Sequence, residues 1–206
     1  MTIIEDSNEN QMILEFLKAE INSQNPERSC VKEAIQNELE VLGLNENIIT
    51  NGCITDGKNN ERSKVLGAGR GYKKNLWLFK NFPNDITWKW VHLDNQDFKK
   101  IKYPKCEPWF ELSDCTGLLL IAAKKILPNS EKHDKYKKAV LDLKNGGNFS
   151  EAPILITDGN NTIILEGCNR LTCYMLAMAS GSQFNNIRVL LGYCSSKDLK
   201  KWAFYQ

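Results

Sequence analysis

Glu166-Gly167-Cys168-Asn169-Arg170 is the stretch whose residue types and spacing can do chemistry. It falls where a strand-like run, TIILEG, meets an apolar helix-like run, CNRLTCYMLAMAS. A helix start leaves its first amides without intrahelical acceptors and carries partial positive charge. Gly167 allows a tight turn and lets a ligand approach without a Cβ in the way. Arg170, in the first helical turn, adds a planar, permanently charged fork suited to phosphate oxygens. Together these predict an anion pocket whose natural occupant is a phosphate chain. A second expectation stands beside it: a strand-to-helix turn in which Arg170 pairs with Glu166 or Glu111.

Two other features carry weaker chemical signals. GAGRG, residues 67–71, invites a phosphate-loop reading, but the Gly-Lys-Ser/Thr ending is missing and no strand clearly precedes it. It also reads as a turn that brings Arg70 and Tyr72 toward a site. The seven cysteines (30, 53, 106, 115, 168, 173 and 194) are odd in number and irregular in spacing, with no CxxC pair. With only His92 and His133 beside them, neither a disulfide scaffold nor a metal site is expected.

The hairpin leading into EGCNRLTCYMLA resembles the ParB/sulfiredoxin superfamily, whose members carry Gly-x-x-Arg at a helix start after a hairpin. The match covers residues 150–195 and puts the signature on Gly167 and Arg170. A looser similarity to ParB-like bacterial proteins extends over FPNDITWKWVHL and over Pro108–Ser113, a Trp-x-x-x-Ser stretch. The resemblance implies an α+β fold with a small mixed sheet and packed helices. It also implies binding of CTP, ATP or ADP through the phosphates, with Mg2+ as companion, by Gly167, Cys168, Asn169 and Arg170; Arg70 and Ser113 are further candidate contacts.

Asn169 would hydrogen-bond a phosphate or the ribose, and Glu166 would hold a magnesium-bound water or orient Arg170. If nucleotide hydrolysis or phosphoryl transfer follows binding, Glu166, Glu111 and Asp158 are the candidate bases or metal ligands. An arginine expected after Ser113 is replaced by Leu118, which weighs against hydrolysis more than against binding. Sulfiredoxin itself has Gly-Cys-His-Arg, so Gly167-Cys168-Asn169-Arg170 also raises thiol chemistry at Cys168, with the helix start and Arg170 lowering its pKa. The third alternative is a non-catalytic partner-binding protein, docking a basic partner or a second copy of itself. No helix-turn-helix segment follows the motif, so DNA is not an expected partner.

The elements that must position these residues follow from pattern. Met12, Leu14, Phe16, Leu17 and Ile21 make one helical stripe, and Val31, Ile35, Leu39 and Leu42 another, with acidic residues outward. Residues 1–50 thus read as a helical hairpin appended to the fold, and 51–64 as a loop or linker. The nucleotide-binding unit is expected over 65–206. ITWKWVHL alternates as a half-buried strand, a short helix follows Asp94, and IKYPKCEPWFELS reads as extended. TGLLLIAAKKIL and EKHDKYKKAVLDLKNGG are helices, the second with an apolar side of Tyr136, Val140 and Leu143. After them PILIT and TIILEG form a hairpin, IRVLLGYC a strand, and SSKDLKKWAFY a helix capped at Ser195 or Ser196.

Composition sets the frame. Among 206 residues, 42% are hydrophobic and 25% charged, a balance that buries a core rather than staying disordered. The formal charge of +2 hides a split: residues 1–60 hold 4 basic and 11 acidic side chains, and residues 61–206 hold 23 and 14. Any polyanion is expected on the second part. No run approaches the roughly 20 apolar residues of a membrane span, and the acidic MTIIEDSNEN start lacks a signal peptide's pattern. The expected compartment is the cytoplasm.

Overall fold

A computed structural model describes residues 1–184 and 186–205 and shows an α+β fold. The chain opens with strand β1 (Thr2–Asp6), then α1 (Glu9–Asn22), α2 (Ser29–Val41), α3 (Asn47–Thr50) and α4 (Asn59–Arg70). Strands β2 (Thr87–Leu93) and β3 (Ile101–Lys102) precede α5 (Trp109–Leu112), α6 (Leu119–Ile126) and α7 (Ser130–Lys144). The last part holds β4 (Ile154–Thr157), β5 (Thr162–Glu166), α8 (Cys168–Ala179), β6 (Ile187–Tyr193) and α9 (Ser196–Leu199).

The strands form one mixed sheet in the order β1-β2-β6-β4-β5-β3. β6 pairs with β2 antiparallel and with β4 parallel, while β4 and β5 form the expected antiparallel hairpin. Asp158 holds the hairpin turn, accepting from the amides of Asn160 and Asn161 at 2.9 and 2.7 Å. Side chains alternate across each strand, and both faces are apolar. Val91, Leu93, Leu155, Ile164, Val189 and Leu191 pack with α6, α7 and α8. Trp88, Trp90, Ile154, Ile156, Ile163, Leu165 and Leu190 pack on the other face with α1, α2 and α4. The sheet therefore lies between two helical layers.

Several local expectations are corrected. The first residues are not helical: β1 pairs with β2 as an edge strand before α1 begins. Residues 51–64 are not loop throughout, because α4 starts at Asn59, and GAGRG belongs to that helix and its C-cap, not to a phosphate loop or turn. Gly71 provides the left-handed cap, at φ +79°. β2 is buried on both sides rather than one, since Trp88 and Trp90 face one layer and Val91 and Leu93 the other. Trp109–Leu112 forms a helical turn within the stretch expected as extended, and the terminal helix stops after one turn, capped by Ser195.

The outward-acid rule fails at Glu20. It is 0% exposed, on a helix buried nearly all round. Among the described residues no helix is long and apolar enough to cross a membrane.

Candidate functional site

β5 delivers Glu166 to the end of the sheet, and the chain turns at once into α8. Gly167 makes that turn at φ +99°, in the left-handed region. A Cβ there would sit 3.0 Å from Pro153 Cβ and 3.1 Å from Pro153 Cα, so the backbone conformation favours glycine and the space beside it is tight. The first backbone bond back to the turn runs from Leu171 N–H to Gly167 O, at 3.0 Å. The amides of residues 168–170 precede it, and none donates to a protein acceptor among the described residues.

Arg170 does not point freely at solvent. Its guanidinium pairs with Glu166 Oε2, and Nη1 stands 3.9 Å from Glu151 Oε2. Of the two expectations for this arginine, pairing with Glu166 describes its inner face. Glu166 Oε1 accepts from Arg28 Nη1 at 3.1 Å, so a residue 138 positions away joins the site. The same nitrogen lies 3.2 Å from Glu20 Oε1, which also takes Arg70 Nη2 at 2.6 Å. Arg70, Glu20, Arg28, Glu166, Arg170 and Glu151 thus alternate in sign through one partly buried chain of contacts. Burial lowers the proton affinity of Arg28, but Glu20 and Glu166 outweigh it and raise its pKa, so it stays charged.

Two atoms of this chain lack partners. Glu20 Oε2 and Arg170 Nε are buried with no hydrogen bond among the described residues. A buried polar atom without a partner is rare and calls for a physical account. Arg170 borders a cavity of about 400 Å3 whose wall also includes Gly167, Cys168 and Asn169 from the helix start and Asn22, Asn25 and Arg28 from the other layer. The Asn169 carboxamide oxygen accepts from the Tyr136 hydroxyl at 3.2 Å.

The remaining candidates separate. Glu166 pairs both oxygens with guanidinium groups, so it is a counter-ion here, and service as a base or magnesium ligand would compete with those ion pairs. Among the described residues no group of three or more His, Cys, Asp or Glu is placed to hold a metal ion. Glu111 is exposed on α5, and Arg70 meets the site through Glu20; both border an adjoining cleft. Ser113 is buried, accepting from Gly117 N–H at 2.9 Å and donating to the carbonyl oxygens of Trp109 and Phe110 at 3.0 Å, so it staples a turn and contacts no ligand space. Tyr72 is buried edge-on to Phe79, and Asp158 serves its hairpin.

The surroundings of Cys168, which is half-buried, act against the expected lowering of its pKa. Burial pushes its thiol well above the ordinary range, Cys106 and Glu166 push the same way, and Arg28 and Arg170 oppose them without prevailing. The sequence missed Arg28, Glu20, Asn22 and Asn25, all from the acidic front. The helical stripes on either side of them marked the region as ordered, but no spacing tied these four residues to the start of α8.

No family model, no curated protein and no solved structure matches the chain.

Proposed function

We propose that this protein binds a nucleotide such as CTP, ATP or ADP, holding its phosphates at the start of α8. One observation carries the reading: Arg170 Nε is a buried donor without an acceptor, beside helix-start amides that also lack acceptors. A phosphate oxygen satisfies both kinds of donor at once. The resemblance of residues 150–195 to phosphate-binding ParB/sulfiredoxin segments points the same way. Magnesium, where present, travels on the phosphates, because both Glu166 oxygens are paired with arginines. Binding without hydrolysis is favoured, since Glu166 and Glu151, the carboxylates at the helix start, are both held in ion pairs. The compartment proposed is the cytoplasm, where its seven unpaired thiols stay reduced.

Isothermal titration with CTP, ATP, ADP and GTP tests this. Heat is expected with at least one of them. Arg170→Lys keeps a positive partner for Glu166 but loses the planar fork, so it should weaken binding roughly tenfold to a hundredfold, the scale of a charged hydrogen bond. The variant's thermal melt checks that it is folded. No heat with any of the four overturns the proposal.

A further inference from the structure

Beside the α8 cavity lies a cleft of about 650 Å3, and Asn25, Arg28 and Asn169 border both. Its lining divides by chemistry. Trp109, Leu112 and Ile126 give an apolar strip at the α5–α6 side. Lys132 and Lys135 line the cleft from exposed positions on α7, Lys135 with its ammonium 5.6 Å from the Tyr136 ring centre, and neither forms an ion pair among the described residues; Glu27, Glu107 and Glu111 also border it.

The indole is held in one orientation. Trp109 stacks on Tyr103 with ring centres 4.8 Å apart and 14° between planes, and the Tyr103 hydroxyl lies 2.6 Å from Thr172 Oγ1. Asn169 stands between the two cavities with its carbonyl oxygen taken by Tyr136, which leaves its amide nitrogen without a protein acceptor among the described residues. A fixed aromatic ring, an apolar strip and two ammonium groups without carboxylate partners form the kind of surface on which a base stacks while its anionic tail is drawn inward. Both cavities fall within the roughly 300–1,000 Å3 of small-ligand sites.

We propose that this cleft takes the base of the same ligand, with the ring over Trp109, the sugar beside Asn169 and the phosphates passing Arg28 to the start of α8. The inference rests on the phosphate reading above and narrows it. The ligand is a nucleoside di- or triphosphate, and neither inorganic polyphosphate nor a sugar phosphate fills both cavities. Arg28 then has a positioning role at the junction, and the acidic front supplies part of the binding surface.

Calorimetry of the full chain with CTP, ATP and inorganic triphosphate, alongside tryptophan fluorescence, tests the cleft. At least one nucleotide should bind tenfold or more tightly than inorganic triphosphate, the scale of one base stacked on an aromatic ring. That nucleotide should quench fluorescence, and Trp109→Leu should abolish both the quench and the tenfold preference while inorganic triphosphate still binds. Should Trp109→Leu fail to fold, the ratio measured on the unaltered chain decides alone. Inorganic triphosphate binding as tightly as every nucleotide overturns the cleft and leaves the phosphate site standing. Absence of binding by all three, and by ADP and GTP as well, overturns the phosphate reading, and the cleft inference with it.

Discussion

Seven thiols in one chain behave differently because their surroundings differ, and these differences bear on the role of Cys168. Cys53 is exposed, and a hydrogen bond with the Thr55 hydroxyl lowers its pKa. Burial raises Cys168 well above the thiol range, Cys173 to about 12 and Cys194 to about 11. Because the thiolate is the nucleophile, alkylation by iodoacetamide at neutral pH should mark Cys53 early and Cys168 and Cys173 last, as read by mass spectrometry. Cys168 labelling first would restore the thiol reading. The same shifts set an alkaline limit. Unfolded, Cys168, Cys173 and Cys194 ionise near pH 8.5 and folded only far above it, so at these positions the unfolded state releases protons first. The stability these thiols confer is complete below about pH 8.5 and declines as pH climbs toward 11 and 12. The motif was legible at this scale, since Gly167 and Arg170 stand where the residues predicted. The partners of Arg170 were only half legible: Glu166 lies four residues away on the same turn, whereas Arg28 meets Glu166 across 138 residues with no periodicity to announce it.

At the scale of elements, the β5–α8 junction is where the fold and the site constrain each other most tightly. Local pattern was enough to read it, because a strand, a glycine and an apolar helix follow one another without a gap. Elements with little apolar pattern were harder. β1 has five exposed residues and no alternation, and α9 is a single turn that a propensity window extends too far. GAGRG misled for a related reason: its glycines suit a loop by type, yet a Cβ on Gly69 would lie 2.9 Å from Ile35 Cγ1, so α2 and α4 use that glycine to pack closely. The junction itself gives a direct test. Gly167→Ala must place a Cβ against Pro153 while holding φ near +99°, so it should destabilise the protein by about 1–3 kcal/mol, measured by urea unfolding. Nucleotide affinity should fall with it, because the turn that aims the α8 amides is the part distorted. An unchanged unfolding midpoint would show that the β5–α8 turn relaxes at no cost, against the geometry seen.

For the whole molecule, the charge split acquires a structural meaning that composition alone did not carry. The acidic front supplies an edge strand and helices α1, α2 and α3 of the layer covering one sheet face, and it lends Arg28, Asn22 and Asn25 to the basic part's cavity. Its excess of carboxylates is partly inward: Glu20 is buried between Arg28 and Arg70, and only the layered assembly brings those charges together. Each layer buries a face the other cannot reach, so the central strands read as continuous apolar runs with no preference for one side. Deleting residues 1–44 would strip β1, α1 and α2 from the layer over Ile154, Ile156, Ile163, Leu165, Leu190, Trp88 and Trp90, leaving α4 to cover only part of it. An apolar face of that extent does not stay monomeric and ordered in water. The truncated chain is therefore expected to bind the dye ANS, lose its near-ultraviolet circular dichroism and melt without a cooperative transition. It should also lose nucleotide binding, since Arg28 goes with the deleted segment. A cooperative melt with a silent dye would instead mean that the basic part closes its own core, and that the N-terminal layer serves the ligand rather than the fold.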